Sequence, residues 1–119
     1  TEGCRALVCE GAQLVDLVAR GADEQARRQA NAELGFLTPI IKGFITETGY
    51  ECTNHGVQVM GGHGYMREHG MEQLVRDCRI STIYEGTTQV QALDLIGRKT
   101  LLAQGKPLAQ YLARLRAFC

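Results

Sequence analysis

The sequence predicts an all-α chain, folded as an up-and-down four-helix bundle. Apolar residues recur at helical spacing in each long segment, and Gly or Pro punctuates the joints between segments. Neither an internal repeat nor a low-complexity tract interrupts the pattern. With 119 residues the chain is about one domain, enough for one modest core.

The first helix is expected over about Glu2 to Arg20, with Leu7, Leu14, Val15 and Val18 on one stripe and Gly11 as a flat contact point. Gly21 can stop it, and the polar run ADEQARRQANAE reads as a solvated connection, partly helical at most. Thr38-Pro39 then offers an N-cap followed by proline at the first helical position. From there Ile41, Ile45, Thr48, Cys52 and Val59 form a stripe, with Phe44 beside it, to about Met60. Gly43, Gly49 and Gly56 each cost about 1 kcal/mol against Ala inside a helix, which close packing against another backbone or a ligand would offset. Gly61-Gly62-His63-Gly64 breaks this helix. A shorter one over about Glu68 to Cys78 presents Met71, Leu74, Val75 and Cys78. Another starts after Gly86, with Thr87 or Thr88 as N-cap, and carries Val90, Leu93 and Ile96 to about Ala103. Gly105-Lys106-Pro107 precedes a last pattern of Leu108, Leu112, Leu115 and Cys119.

Composition excludes several classes of function. Thirteen Lys and Arg balance thirteen Asp and Glu, without a like-charged run, so no nucleic-acid footprint is present. No apolar run approaches the roughly twenty residues of a membrane span, and a soluble domain is expected. Five scattered cysteines without a C-x-x-C pair read as reduced thiols of a cytosol-like compartment. The chain starts at Thr1-Glu2 already in an amphipathic pattern, and Tyr111 to Cys119 still read as helix, so a fragment of something longer is expected.

Candidate chemistry is sparse. His63, His69 and Glu68 invite a metal reading, but adjacent Glu68 and His69 point in different directions, and no Glu-x-x-His or H-E-x-x-H spacing exists; no metal site is expected. His55 reads as either a satisfied interior histidine or one that lines a contact, and no cysteine has a neighbouring histidine to make it a nucleophile. The glycine loop is either a terminator or a place where a ligand approaches the backbone, with the Gln58 amide one turn earlier able to donate and accept. Glu85 is the sharper case, set between Ile83-Tyr84 and Gly86 at a helix start. It is either a first-turn acid favoured by the helix dipole or a general base in a partly desolvated pocket, and periodicity alone does not choose.

Three motifs in order carry a resemblance: Gln58-Val59-Met60-Gly61-Gly62-His63-Gly64-Tyr65, Arg76-Asp77-Cys78-Arg79-Ile80, and Ile83-Tyr84-Glu85-Gly86-Thr87-Thr88-Gln89-Val90-Gln91. Together they resemble the C-terminal helical domain of the acyl-CoA dehydrogenase family, over about residues 1 to 100. The pieces LTPIIKGF, GGHGYMREHGMEQLVRD and QVQALDLIGRK look most like its larger bacterial branch, which includes fatty-acyl-CoA and methylthiopropanoyl-CoA dehydrogenases and carries a C-terminal extension. The resemblance assigns 1–104 to the helical bundle and 105–119 to the start of that extension, with the N-terminal helical and central β domains outside this chain.

The resemblance implies a bacterial cytoplasmic homo-oligomer that binds FAD, converts an acyl-CoA to its trans-2-enoyl-CoA, and passes electrons to an electron-transfer flavoprotein. It makes Glu85 the base for the α-proton. Thr87 and Gln89 contact the nearby FAD, while Gln58, Gly61 and Gly62 reach the ADP part of an FAD held mainly by a neighbouring subunit. Tyr84 and Gly86 border the acyl pocket. An acyl-CoA oxidase and a non-catalytic oligomerisation module remain as alternatives, and a fragment alone is expected to be inactive.

Overall fold

The computed structural model describes residues 2–118, so Thr1 and Cys119, the last member of the final expected stripe, lie outside the described residues. Among these the chain is helical, without strands, as the sequence predicts. Six α-helices follow in order: α1 Glu2–Arg20, α2 Glu24–Met60, α3 Gly62–Tyr65, α4 Met71–Ser81, α5 Thr88–Leu93 and α6 Lys106–Phe118. A π-helical stretch, Asp94–Leu102, continues α5, and a 3₁₀ turn, Arg67–His69, precedes α4. The chain divides into two compact units, one running up to Ile41 and resuming at Gln91, the other Lys42–Val90.

In the first unit α1 keeps its expected bounds, with Gly11 and Leu14 buried. Val15, expected on the same stripe, is exposed. Gly21 follows α1 because the chain turns tightly there: a Cβ would stand 2.6 Å from the Leu17 carbonyl oxygen. The expected solvated connection is instead the start of α2. Asp23 caps it, its Oδ1 accepting the Ala26 N–H at 2.7 Å, and Glu24 pairs with Arg27 and Arg28 one turn on. The segment also has something to bury, since Ala30 is 5% exposed.

Helix α2 therefore does not begin at Thr38-Pro39. Pro39 lies inside it, and the Thr38 hydroxyl donates to the Leu34 carbonyl at 2.7 Å. Proline in a helix interior removes the donor for the carbonyl four residues back, here that of Gly35. The helix continues because Phe36, Leu37 and Pro39 are all buried, and core packing overrides the local boundary signal. Leu14, Ala30, Phe36 and Leu37 form the core, against which Val18, Leu34, Ile40, Ile41, Leu95 and Tyr111 pack. Arg114 of α6 forms ion pairs with Glu10 of α1 and, at 2.5 Å, with Glu33 of α2.

The expected stripe Val90, Leu93 and Ile96 is exposed, while Leu95 packs on the core. The π-helical bonding of Asp94–Leu102 redistributes which side chains share a face, a departure that a 3.6-residue period does not foresee. Gly105, at φ +71°, leads into α6.

In the second unit Gly61, at φ +58°, ends α2, but only for a turn, because Gly62–Tyr65 is helical again. The next helix starts later than expected, at Met71, behind Gly70 at φ +71°. Of the three α2 glycines in this unit, Gly43, Gly49 and Gly56, only Gly56 meets close packing, from the flexible Met71 side chain. A Cβ on Gly43 would find an ordinary 3.9 Å contact with Thr88, and one on Gly49 would find nothing within 4 Å.

Candidate functional site

Residues 82–87 form the loop between α4 and α5 that carries Glu85. Its first half is fixed by α4. Thr82, only 4% exposed, donates both its N–H and its hydroxyl to the Arg79 carbonyl at 3.2 and 3.0 Å, and its hydroxyl accepts from the Arg79 guanidinium at 3.2 Å. The Ile80 carbonyl then accepts the Ile83 and Tyr84 N–H groups at 3.0 and 3.1 Å. Arg79 itself stacks 5.1 Å over the Tyr50 ring of α2.

Glu85 follows with φ +53°, and Gly86 with φ +93°. Two consecutive left-handed residues reverse the chain, and the glutamate adopts a conformation that few residues other than Gly, Asn and Asp tolerate. Beyond them the loop is tied to α2. The Lys42 ammonium donates to the Gly86 carbonyl and the Thr88 hydroxyl donates to the Glu47 carboxylate. The Thr87 hydroxyl accepts the Val90 N–H at 3.4 Å, making Thr87 the cap of α5, one of the two residues expected in that role.

Glu85 and Gln89 are exposed, Gly86 and Thr87 half-buried. Ile83 and Tyr84 are 48% and 52% exposed, so this chain alone does not dry the carboxylate.

The second group of sequence-predicted residues sits at the far end of α2. Gln58 lies eleven steps along α2 from Glu47, about 16 Å at about 1.5 Å per step, so the structure does not gather Gln58, Gly61 and Gly62 beside Glu85. All three are exposed. The glycines of this turn differ in kind. Gly64 is buried, and a Cβ there would stand 2.6 Å from the Val57 carbonyl oxygen, so glycine is needed for the turn to fold back on α2. Cβ atoms at Gly61 and Gly62 would meet nothing within 4 Å, which leaves open backbone for a flat or phosphorylated group to approach. The donor set of amides, hydroxyls and bare peptide groups fits a flavin dinucleotide, whose polar parts need many neutral hydrogen bonds.

Sequence reasoning missed Lys42 and Glu47. Both lie on the α2 face that meets the loop, together with Gly43 and Tyr50, at helical spacing. The available signal was two charges inside the otherwise uncharged run IIKGFITETGY.

The rings of His63 and His69 meet edge-on at 5.2 Å, and among the described residues no group of three or more His, Cys, Asp or Glu is placed to hold a metal ion. Cys4, Cys9, Cys52 and Cys78 are free thiols. Nor, among the described residues, is any helix long and apolar enough to cross a membrane. A cleft of about 670 Å³ in the first unit, among Gln25, Glu33, Phe36, Tyr111 and Arg114, contains none of the sequence-predicted site residues.

Residues 4–101 match the family model described as acyl-CoA dehydrogenase, C-terminal domain. A 3-methylmercaptopropionyl-CoA dehydrogenase of Ruegeria pomeroyi is 45% identical over 93% of the chain and 19% of its own length. A butyryl-CoA dehydrogenase of Syntrophomonas wolfei is 32% identical over 98% of the chain, again 19% of its own length. The caffeyl-CoA reductase-Etf complex subunit CarC of Acetobacterium woodii is 45% identical over 47% of the chain and 15% of its own length. The chain thus spans about a fifth of the length of the curated relatives it matches over most of its residues.

Proposed function

The chain belongs to the acyl-CoA dehydrogenase family, as its C-terminal domain, and on that premise we propose that it is the base-bearing part of a longer, FAD-dependent acyl-CoA dehydrogenase. The division into a helical bundle over 1–104 and the start of an extension at 105–119 is part of the same proposal. The observation that carries the chemistry is Glu85 itself, a carboxylate held in a left-handed turn directly before the Gly86-Thr87 start of α5. Strained, over-determined residues of this kind gather at sites where position matters.

In the proposed reaction Glu85 accepts the α-proton of the acyl-CoA thioester, and the α-carbon's electron pair forms the double bond as the β-hydrogen leaves with its own pair. When bound, FAD supplies the two-electron acceptor for that hydride. The Glu85 N–H is the donor for the thioester oxygen, where charge develops as the α-proton departs. Thr87 and Gln89 hold the flavin beside Glu85, and Gln58, Gly61 and Gly62 hold the ADP portion of a second one from the neighbouring subunit of a homo-oligomer. Tyr84 and Gly86 border the acyl chain, with Tyr84 shielding the reacting carbons from water once the rest of the protein covers it. The similarity to a subunit of an Etf complex supports an electron-transfer flavoprotein as the final acceptor.

Glu85→Gln in the full-length enzyme tests this reading. It retains size and hydrogen bonding but removes the base, so FAD and acyl-CoA binding persist while kcat falls by roughly two or more powers of ten. Unchanged turnover would show that the base lies elsewhere.

A further inference from the structure

We propose that Lys42 is a positioning residue for this chemistry: its ammonium fixes the Gly86 peptide and thereby the direction of the Glu85 carboxylate. The proposal rests on Glu85 being the base. The loop is anchored on both sides of Glu85, but by different means. Upstream, Thr82, Ile83 and Tyr84 are held by backbone and hydroxyl bonds to α4. Downstream, the first residue is Gly86, which has no side chain and samples either sign of φ readily. Its carbonyl is held by Lys42.

A charge-assisted bond of this kind is shorter and stronger than a neutral one. The next anchor, Thr88 on Glu47, lies two residues further on. Without Lys42 the Gly86 peptide can rotate, which weakens the hold on the left-handed conformation of Glu85. The carboxylate would turn with it, away from the proton it must reach. Thr88 also faces buried Gly43, where an added Cβ would stand 3.9 Å from its methyl group, so α2 presents a cation, a flat surface and an anion along one stretch of the loop. The arrangement fixes a peptide plane and leaves the Glu85 side chain exposed for its substrate.

The test is a series in the full-length enzyme, Lys42→Arg, Lys42→Gln and Lys42→Met, read by kcat, KM and flavin content. Arg retains a charged donor of sufficient reach; Gln is uncharged and one bond shorter; Met keeps only the stem. Displacement of a reacting group by about an ångström costs on the order of a hundredfold, so Lys42→Met is expected to lower kcat by about ten- to a hundredfold. KM and bound FAD should stay within about twofold, Gln should fall between, and Arg should recover most of the turnover. A purely structural lysine would instead lower flavin content and kcat together, and that pattern, or wild-type kcat in the Met variant, overturns the proposal. Should the Met variant not assemble, the Gln variant decides, with wild-type kcat again counting against Lys42. Glu85→Gln measured in parallel separates the two ideas: lost turnover there with full turnover in Lys42→Met removes only the positioning role, whereas full turnover in Glu85→Gln removes the base.

Discussion

Glu85 could be found in the sequence as a charge set oddly before a glycine, but its left-handed backbone could not, because dihedral angles leave no periodic trace. Lys42 and Glu47 were equally hidden: their partners lie 44 and 41 residues away, beyond any local pattern. Glycines show the same limit in another form. Sequence distinguishes those at 49 and 64 only as helix interior and helix breaker, whereas the structure separates them by what surrounds the missing methyl group. Gly49→Ala is expected to stabilise the chain by up to about 1 kcal/mol, since it replaces the poorest non-proline helix former where there is open space. Gly64→Ala should instead destabilise by about 1–3 kcal/mol, because backbone at Val57 must move to admit it. Urea midpoints of the two variants check both signs, and a stabilised Gly64→Ala would contradict the packing described.

Among the elements, α1 was legible to its last residue because one apolar stripe and a terminating glycine agree. The start of α2 was not, because two boundary signals competed. Thr38-Pro39 is a good local start, but Asp23 caps an earlier one, and the burial of Ala30, Phe36 and Leu37 decides between them. Helix α6 is fastened by a contact no local pattern reveals, Arg114 between Glu10 and Glu33. Arg114→Met keeps much of the stem and its packing but removes both pairs. A loss of roughly 1 kcal/mol, and a thermal midpoint lower by roughly 3–6 °C, is expected at low salt. The difference should shrink in about 0.5 M salt, where exposed charges are screened. A salt-independent loss would mean that packing, not charge, holds α6.

At the scale of the molecule, the all-α class was legible because it needs only the helical period, and the family because three motifs stand in order. Which surfaces stay uncovered was not, since Val59, Tyr65, Leu102 and Phe118 are all at least 80% exposed and read in sequence like ordinary apolar positions. With Glu85 and Tyr84 both exposed, the chain expressed by itself is expected to show no dehydrogenase turnover and at most weak flavin affinity, measured by equilibrium dialysis against FAD. Tight stoichiometric binding would contradict this. The π-helical stretch Asp94–Leu102 bears on the same scale. A turn closed from residue i to i+5 takes in one residue more than an α turn, and one residue is worth about 100° of rotation. The stretch is thus equivalent to an insertion accommodated without a loop, and it sets the azimuth at which the chain leaves for Gly105 and α6. Removing a single residue from it would restore α-helical phase and swing the following chain by that angle, carrying Arg114 off the two carboxylates it now joins.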